Sequence, residues 1–146
     1  MATYLSTDLT GSANATSVPV GYKPSATVVG ARTKCFRATF TYNTQTTSDT
    51  LQLFTLPTGA TFIKGWAYTS VTTSTATLAF GNASSTGKYR AAAAITTTDS
   101  PQDFGITAAA SAAPLSAEEV VIATIGTASL PASGTLTVFF LVSMPN

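Results

Sequence analysis

Residues 81–89 have residue types and a spacing that could bind a phosphate. The segment GNASSTGKY follows an apolar run and has a lysine directly after its second glycine, as in a phosphate-binding loop. That loop needs four residues between its glycines, so that successive backbone N–H groups converge on the phosphates, and here there are five. Tyr89 also replaces the hydroxyl residue that would bind magnesium. The segment therefore favours a hairpin loop over a nucleotide site.

The carboxylates do not form an evident acid–base pair. Asp99 and Asp103 lie in a predicted loop region, and Glu118 and Glu119 are neighbours that would point to opposite faces of a strand. General acid–base chemistry needs two carboxyl groups in different environments within one cleft. We interpret both pairs as solvated charges. Calcium binding by loop oxygens through Asp99 and Asp103 is the alternative, although the ligand spacing of an EF-hand is missing.

The sequence also lacks the residues that would activate a catalytic nucleophile. The chain has no histidine, which removes the commonest general base and metal ligand. Cys35 lies between Lys34 and Arg37, where cations could favour a thiolate, but no base is available to activate it. We interpret Cys35 as a small apolar filler. We therefore expect no enzymatic activity, no metal and no cofactor.

Three aromatic residues fall on one face of a predicted strand: Phe62, Trp66 and Tyr68. On an exposed face they would form a platform for a sugar or the centre of a protein contact. Large aromatic side chains are more often part of the core. We therefore interpret these three residues as core residues, with the exposed platform as the alternative.

The composition predicts a β-rich protein that associates. Charged residues make up 9% of the 146 residues, whereas about 25% is usual, and Thr, Ala and Ser together make up nearly half. The net charge is +1 and the basic residues are scattered, which argues against nucleic-acid binding. The apolar runs are far too short to cross a membrane, and the N-terminus resembles no secretory signal. A surface with so little charge lacks the usual protection against association, so we expect it to be covered by partners, above all by copies of itself.

Period-two alternation predicts the strands that carry these residues. The predicted strands are 33–42, 49–55, 61–71, 75–81, 119–126 and 135–144, and residues 102–107 could form either a loop or a further short strand. Residues 88–95 could form either one helical turn or a further strand. Seven or eight strands, turns every eight to twelve residues and no long helix predict an all-β protein. The predicted fold is a single jelly-roll-like β-sandwich of antiparallel strands over residues 32–146.

Residues 1–31 have a different composition from the rest of the chain. They are polar and irregular, with glycines and prolines between sparse apolar residues. A disordered tail is one interpretation. We favour an extended N-terminal arm, because a simple linker would not need apolar residues.

Five segments resemble the small virion proteins of tailed phages. These segments are SDTLQLFTLPTGA (48–60), FIKGW (62–66), TLAFG (77–81), PLSAEEVVIATIG (114–126) and the strand after Gly134 that begins with TLTV. They resemble the signatures "D-T-hydrophobic … L-P-x-G-A", "hydrophobic-x-G", "T-L-x-hydrophobic-G", "L-T-A-[DE] … I-x-A-T-hydrophobic-G" and "G-T-L-T-V". The resemblance covers about residues 45–143 and is specific only as a set.

The resemblance implies a capsid decoration (cement) protein or a related head or tail protein. Such proteins are commonly β-sandwich homotrimers that lie on the capsid lattice. The implied partners are the major capsid protein and further copies of this chain, without nucleic acid or membrane. The implied location is the exterior of the virion capsid, after synthesis in the host cytoplasm. The alternative is a binding module of a tail or head fibre that contacts host-surface carbohydrate through Trp66 and Tyr68.

Two sets of residues are the candidate contacts for this role. The N-terminal arm would contact the capsid through six residues: Tyr4, Leu5, Val18, Pro19, Tyr22 and Pro24. The last predicted strand is apolar on both faces, so that one face could pack against another subunit. Its candidate interface residues are Val138, Phe139, Phe140 and Leu141.

Overall fold

The computed structural model describes residues 32–107, 109–110 and 113–144 and contains eight strands in these ranges. The strands are β1 (Arg32–Thr41), β2 (Thr50–Leu56), β3 (Thr61–Thr69), β4 (Thr77–Gly81), β5 (Arg90–Ala93), β6 (Gln102–Phe104), β7 (Glu119–Gly126) and β8 (Thr135–Met144). Each strand begins and ends within two residues of a predicted one, except that β6 ends three residues early. β5 shows that the ambiguous segment 88–95 contains a strand. The predicted arm, residues 1–31, lies outside the described residues.

The strands form two four-stranded antiparallel sheets. The strand order is β1-β8-β3-β6 in the first sheet and β2-β7-β4-β5 in the second. Most connections cross from one sheet to the other, which is the arrangement of a double-sheet jelly roll. The predicted β-sandwich is confirmed. We call the first sheet the 1-8-3-6 sheet and the second the 2-7-4-5 sheet.

The core between the sheets is built around the ring of Phe140, which is fully buried. Its ring centroid lies 4.9 Å from those of Phe62 and Tyr89, 5.0 Å from that of Phe54 and 5.4 Å from that of Phe104. The rings belong to both sheets and to the loop before β5, so they join the two layers. Tilted and edge-on aromatic pairs of this kind add about 0.5–1.5 kcal/mol each beyond the burial of their area.

A β-bulge in β3 corrects the predicted aromatic face. The register of β3 with β8 shifts between Phe62 and Lys64, so the two ends of the strand alternate differently. Phe62 is buried in the core, as expected. Trp66 and Tyr68 are only partly buried and lie on the outer face of the 1-8-3-6 sheet, so their interpretation as core residues is wrong.

A second bulge changes which residues of β2 face the core. The register of β2 with β7 shifts between Gln52 and Phe54. Leu51 is buried before the bulge, and after it the ring of Phe54 packs on Phe140. A bulge places two residues of one strand opposite one residue of its partner, and strict alternation does not reveal it.

Gly65 tests how tightly the inner side of the 1-8-3-6 sheet is packed. A Cβ atom at Gly65 would collide with the ring of Phe104 and lie 2.9 Å from the backbone oxygen of Phe139. We expect Gly65→Ala to lower the free energy of unfolding by about 1–3 kcal/mol, because the ring and the strand must move apart. Chemical denaturation measures this change.

Gly105 provides the matched control, because a Cβ atom there meets nothing within 4 Å. Gly105→Ala is expected to change the free energy of unfolding by at most about 0.5 kcal/mol. Equal effects of the two substitutions would contradict the packing described here.

Candidate functional site

The glycine-flanked segment of residues 81–88 is a hairpin loop and not a phosphate-binding loop. It joins β4 to β5, which are antiparallel neighbours, and the backbone N–H of Asn82 donates to the oxygen of Ser85 at 3.0 Å. The Oδ1 atom of Asn82 accepts hydrogen bonds from the backbone N–H groups of Ser84 and Ser85, at 3.0 and 2.7 Å. The side chain of Asn82 therefore uses the donors that a phosphate would need. The predicted hairpin is confirmed.

The loop is attached to the sandwich through the carboxylate of Glu119. The Oε2 atom of Glu119 accepts Lys88 Nζ at 2.5 Å and Asn82 Nδ2 at 2.8 Å, and its Oε1 atom accepts the Tyr89 hydroxyl. The side chains of Lys88 and Glu119 are only 14% and 13% exposed. The interpretation of Glu119 as a solvated charge is therefore wrong: it forms an ion pair at the start of β7. Glu118, its neighbour, is exposed as expected.

The surroundings of Glu119 keep its carboxylate ionised. Burial alone would raise the pKa of Glu119, but hydrogen bonds from Lys88, Tyr89 and Asn82 and the charge of Lys88 lower it below its ordinary value. Burial, and then the hydrogen bond and charge of Glu119, raise the pKa of Tyr89, so the phenol stays protonated. Both oxygens of the carboxylate are used within the protein. The cluster therefore fastens a loop and has no free group for catalysis.

Arg90 is a second cation that turns inward. Its Nη1 atom donates to the backbone oxygens of Leu78 and Ala93, at 2.5 and 3.0 Å, and its Nη2 atom donates to Gln102 Oε1 at 3.3 Å. The guanidinium also lies over the ring of Phe80, 5.5 Å from its centroid. Burial lowers the pKa of Arg90 from its usual high value. Arg90 therefore provides side-chain hydrogen bonds where the backbone pairing of β4 with β5 is irregular, and it connects these strands to Gln102 of β6.

The remaining candidate catalytic residues are dispersed. Asp99 and Asp103 are exposed, as predicted, but Asp103 lies on β6 and not in a loop, where it pairs with Lys64 at 2.8 Å. Cys35 is exposed on β1, so its interpretation as an apolar filler is wrong. Within the described ranges, no group of three His, Cys, Asp or Glu residues could hold a metal ion. The same part of the chain contains no helix that is long and apolar enough to cross a membrane.

The outer face of the 1-8-3-6 sheet carries the most distinctive surface. Arg37, Phe139, Trp66 and Asp103 are opposite one another in register, so that they form one row across all four strands. We call these four residues the cross-sheet row. Phe139 and Trp66 are partly buried, whereas Arg37 and Asp103 at its ends are exposed.

The rings of the cross-sheet row cover one another. The ring planes of Trp66 and Phe139 are 13° apart with centroids at 5.0 Å, and Tyr68 stacks on Phe139 at 6.4 Å. The guanidinium carbon of Arg37 lies 5.7 Å from the Phe139 centroid, from the β1 side. Trp66 and Arg37 therefore occupy the ring faces of Phe139, and Trp66 and Tyr68 each use one ring face within this cluster. A sugar stacks on an open ring face, so these mutual contacts reduce the ring area that a sugar could use.

The structure separates the four candidate interface residues of β8. Val138 and Phe140 are fully buried in the core between the sheets, so they are not available to another subunit in this fold. Phe139 and Leu141 are partly buried on the outer face. The six candidate contact residues of the arm lie outside the described residues. A contact through Phe139 and Leu141 and a contact through the arm therefore stay predictions.

Comparisons with known proteins give structural neighbours only. No family model matches the chain, and no curated protein matches it. A chain of the structure titled "Cyanophage Pam1 capsid asymmetric unit" matches with a TM-score of 0.64 at 19% identity, covering 79% of this chain and 86% of that one. The likeness shows a shared fold.

Two further phage structures contain chains of the same fold. The "Acidic stable capsid structure of Helicobacter pylori bacteriophage KHP30" matches with a TM-score of 0.56 at 15% identity, covering 78% of this chain and 89% of that one. The "Capsid of Ralstonia phage GP4" matches with a TM-score of 0.62 at 13% identity, covering 79% and 86%. This jelly roll therefore resembles chains found in three different phage capsid structures.

The attachment of the hairpin loop by Glu119 gives a pH-dependent prediction. Glu119→Gln removes the charge that binds Lys88, and we expect the free energy of unfolding at pH 7 to fall by about 2–3 kcal/mol. The pKa of Glu119 is lowered in the folded protein, so its stabilisation is complete above the ordinary pKa of 4.5 and is lost as the pH falls further. The difference between wild type and variant should therefore shrink below pH 4.5. Urea denaturation at several pH values measures it.

Glu118→Gln is the control for this measurement. It removes the same charge from an exposed neighbour, so the expected loss at pH 7 is at most about 0.5 kcal/mol. If Glu119→Gln and wild type differed by the same amount at pH 7 and pH 3, the ionised carboxylate would not be what fastens the loop.

Proposed function

We propose that this chain is a structural protein of a tailed-phage virion, and specifically a capsid decoration (cement) protein. The proposal assigns it to the outer surface of the head, as a homotrimer that stabilises the lattice of the major capsid protein. The observation that carries the proposal is the jelly roll that it shares with chains of three phage capsid structures. The sequence segments that resemble small virion proteins support the same role independently.

The charge distribution of the sandwich is suited to a covered surface. The chain has seven basic and six acidic residues, and three of these, Lys88, Glu119 and Arg90, use their charges within the protein. The exposed surface therefore holds even less charge than the composition indicates. A surface with so little charge favours association with neighbouring subunits over a monomer in solution.

The proposed mechanism is burial of apolar area across the junctions between capsid subunits. Each square ångström of apolar area removed from water stabilises the contact by about 25 cal/mol, so one small contact is weak. Many copies on one shell add their contacts, because each bound subunit holds the next at a high local concentration. In this scheme the N-terminal arm crosses a junction and the sandwich rests on the surface.

The second candidate function is binding of host-surface carbohydrate by a tail or head-fibre module. The position of Trp66 and Tyr68 on the outer face favours it, because a platform requires rings outside the core. The stacking of both rings on Phe139 opposes it, because one face of each ring is already used within the protein. We therefore place it second.

Copy number per particle tests the proposed location. Quantitative mass spectrometry of purified virions of the encoding phage should find hundreds of copies, in a simple ratio to the major capsid protein. A few copies up to a few tens would assign the chain to the tail or a fibre and favour the carbohydrate function. Absence from washed particles would contradict a virion role.

The arm is tested by removing its apolar side chains without changing its length. We expect replacement of Tyr4, Leu5, Val18 and Tyr22 by serine to weaken binding to capsids that lack the protein by about tenfold or more. The reason is that apolar burial at the junction would be lost. Co-sedimentation of the full-length variant with such capsids measures this.

Threonine-to-serine changes at Thr3, Thr7, Thr10 and Thr16 form the matched control and should leave binding unchanged. Thermal unfolding of both variants verifies that the sandwich is intact. Full binding by the variant that lacks Tyr4, Leu5, Val18 and Tyr22 would rule out the arm as the capsid contact.

A further inference from the structure

The cross-sheet row has an ordered sequence of chemical groups. Read from β1 to β6, it runs from the cation of Arg37 through the rings of Phe139 and Trp66 to the carboxylate of Asp103. Neighbouring strands lie about 4.8 Å apart, so the two charges are separated by about 14 Å. The row is therefore positive at one end, aromatic in the middle and negative at the other end.

Such a row is complementary to itself when it is reversed. A two-fold axis parallel to the strands, between β8 and β3, turns the row of a second molecule end to end. Arg37 of each copy then faces Asp103 of the other, and the rings of Phe139 and Trp66 meet in the middle. We propose that the outer face of the 1-8-3-6 sheet is a two-fold contact surface between two copies of this chain. This contact does not depend on the capsid. It uses the outward face of β8 with Phe139 and Leu141, so a trimer would have to form through another surface.

The charges at both ends of the row are available for such a contact. Among the described residues no carboxylate forms a salt bridge with Arg37, whose guanidinium rests on Phe139. The side chain of Asp103 is 65% exposed, and its Oδ2 atom accepts a hydrogen bond from Lys64 Nζ. A carboxylate offers about four lone-pair positions, so Asp103 can accept a second cation. An Arg37–Asp103 pair in both directions would fix the register of the two faces.

The size of the face sets the strength of the contact. Four strands and about eight residues along the central strands give an area of about 500 Å² per copy. A standard protein interface buries about 800 Å² per partner, so this contact is weak in dilute solution. Sheets that pack face to face lie about 10 Å apart with their strands nearly aligned, which is the geometry that the two-fold axis requires. Copies held side by side on a surface would make the contact more readily.

Charge reversal tests the order of the row in purified full-length protein. Arg37→Glu places a carboxylate opposite Asp103, and Asp103→Lys places an ammonium group opposite Arg37, so each variant alone meets like charges twice. An equimolar mixture of the two variants restores attraction at both ends. At one end the introduced carboxylate meets the introduced ammonium group, and at the other the unchanged Arg37 meets the unchanged Asp103. Sedimentation equilibrium from micromolar to millimolar concentration measures the association.

We expect each variant alone to associate about tenfold or more weakly than wild type, since like charges in a contact are strongly unfavourable. We expect the mixture to recover wild-type association. Lys34→Glu makes the same charge change on β1 at an exposed position outside the row, and Asp99→Lys does so at an exposed loop aspartate; both should behave as wild type. Thermal unfolding verifies that every variant is folded.

Three results would overturn the two-fold contact. The first is a wild-type protein that shows no more association than the single variants at any concentration. The second is a mixture that associates no better than its components, because the order of charges would then have no effect. The third is a glycan that changes the fluorescence of Trp66 in a wild-type protein that does not pair, which would identify carbohydrate as the occupant. None of these measurements involves capsids, so they are independent of the test of the virion role.

Discussion

Strand β8 is hydrogen-bonded on both sides, to β1 and to β3. The alternation of its side chains determines which residues enter the core and which lie on the outer face of the sheet. Because successive side chains of a strand point to opposite faces, Val138 and Phe140 enter the core while Phe139 and Leu141 face outward. A shift of one residue in this register would exchange the two sets. The ring cluster around Phe140 opposes such a shift, because that ring contacts aromatic rings from both sheets. The register that places Phe140 in the core therefore also places Phe139 at the centre of the outer face.

The sequence was sufficient to predict the strands and the sandwich, because these follow from alternation and from turn residues. The turn after β2 is an example: it contains Pro57 and Gly59, both typical turn residues, and Gly59 has a positive φ of 82°. Bulges are the features that alternation cannot predict. Each bulge lies where two apolar residues are adjacent, Leu53–Phe54 in β2 and Phe62–Ile63 in β3, so the sequence does not show which of the two faces the core. For that reason Trp66 was assigned to the wrong face, although its strand was correctly predicted.

The partners of charged residues were predicted less well than their strands. Glu119 looked like one of two adjacent solvated carboxylates, and only the folded chain brings Lys88 and Asn82 to it, more than 30 positions away. The order of the cross-sheet row depends in the same way on four strands that are distant in sequence. Pairing between distant strands is a property of topology, and a single sequence carries little information about it. Local patterns therefore indicated the kind of protein, and the three-dimensional arrangement located its surfaces.

The pairing of the first strand with the last also affects how the protein is made. Arg37 of β1 is opposite Phe139 of β8, about 100 residues later, so the 1-8-3-6 sheet cannot form until nearly the whole described chain has been synthesised. At about 5–20 residues per second, β1 waits about 5–20 s on the ribosome for its partner. During that interval its edge is protected by Arg32, Lys34 and Arg37, whose like charges discourage two nascent chains from pairing. The basic residues of β1 thus oppose its pairing with β1 of another nascent chain until β8 has been synthesised.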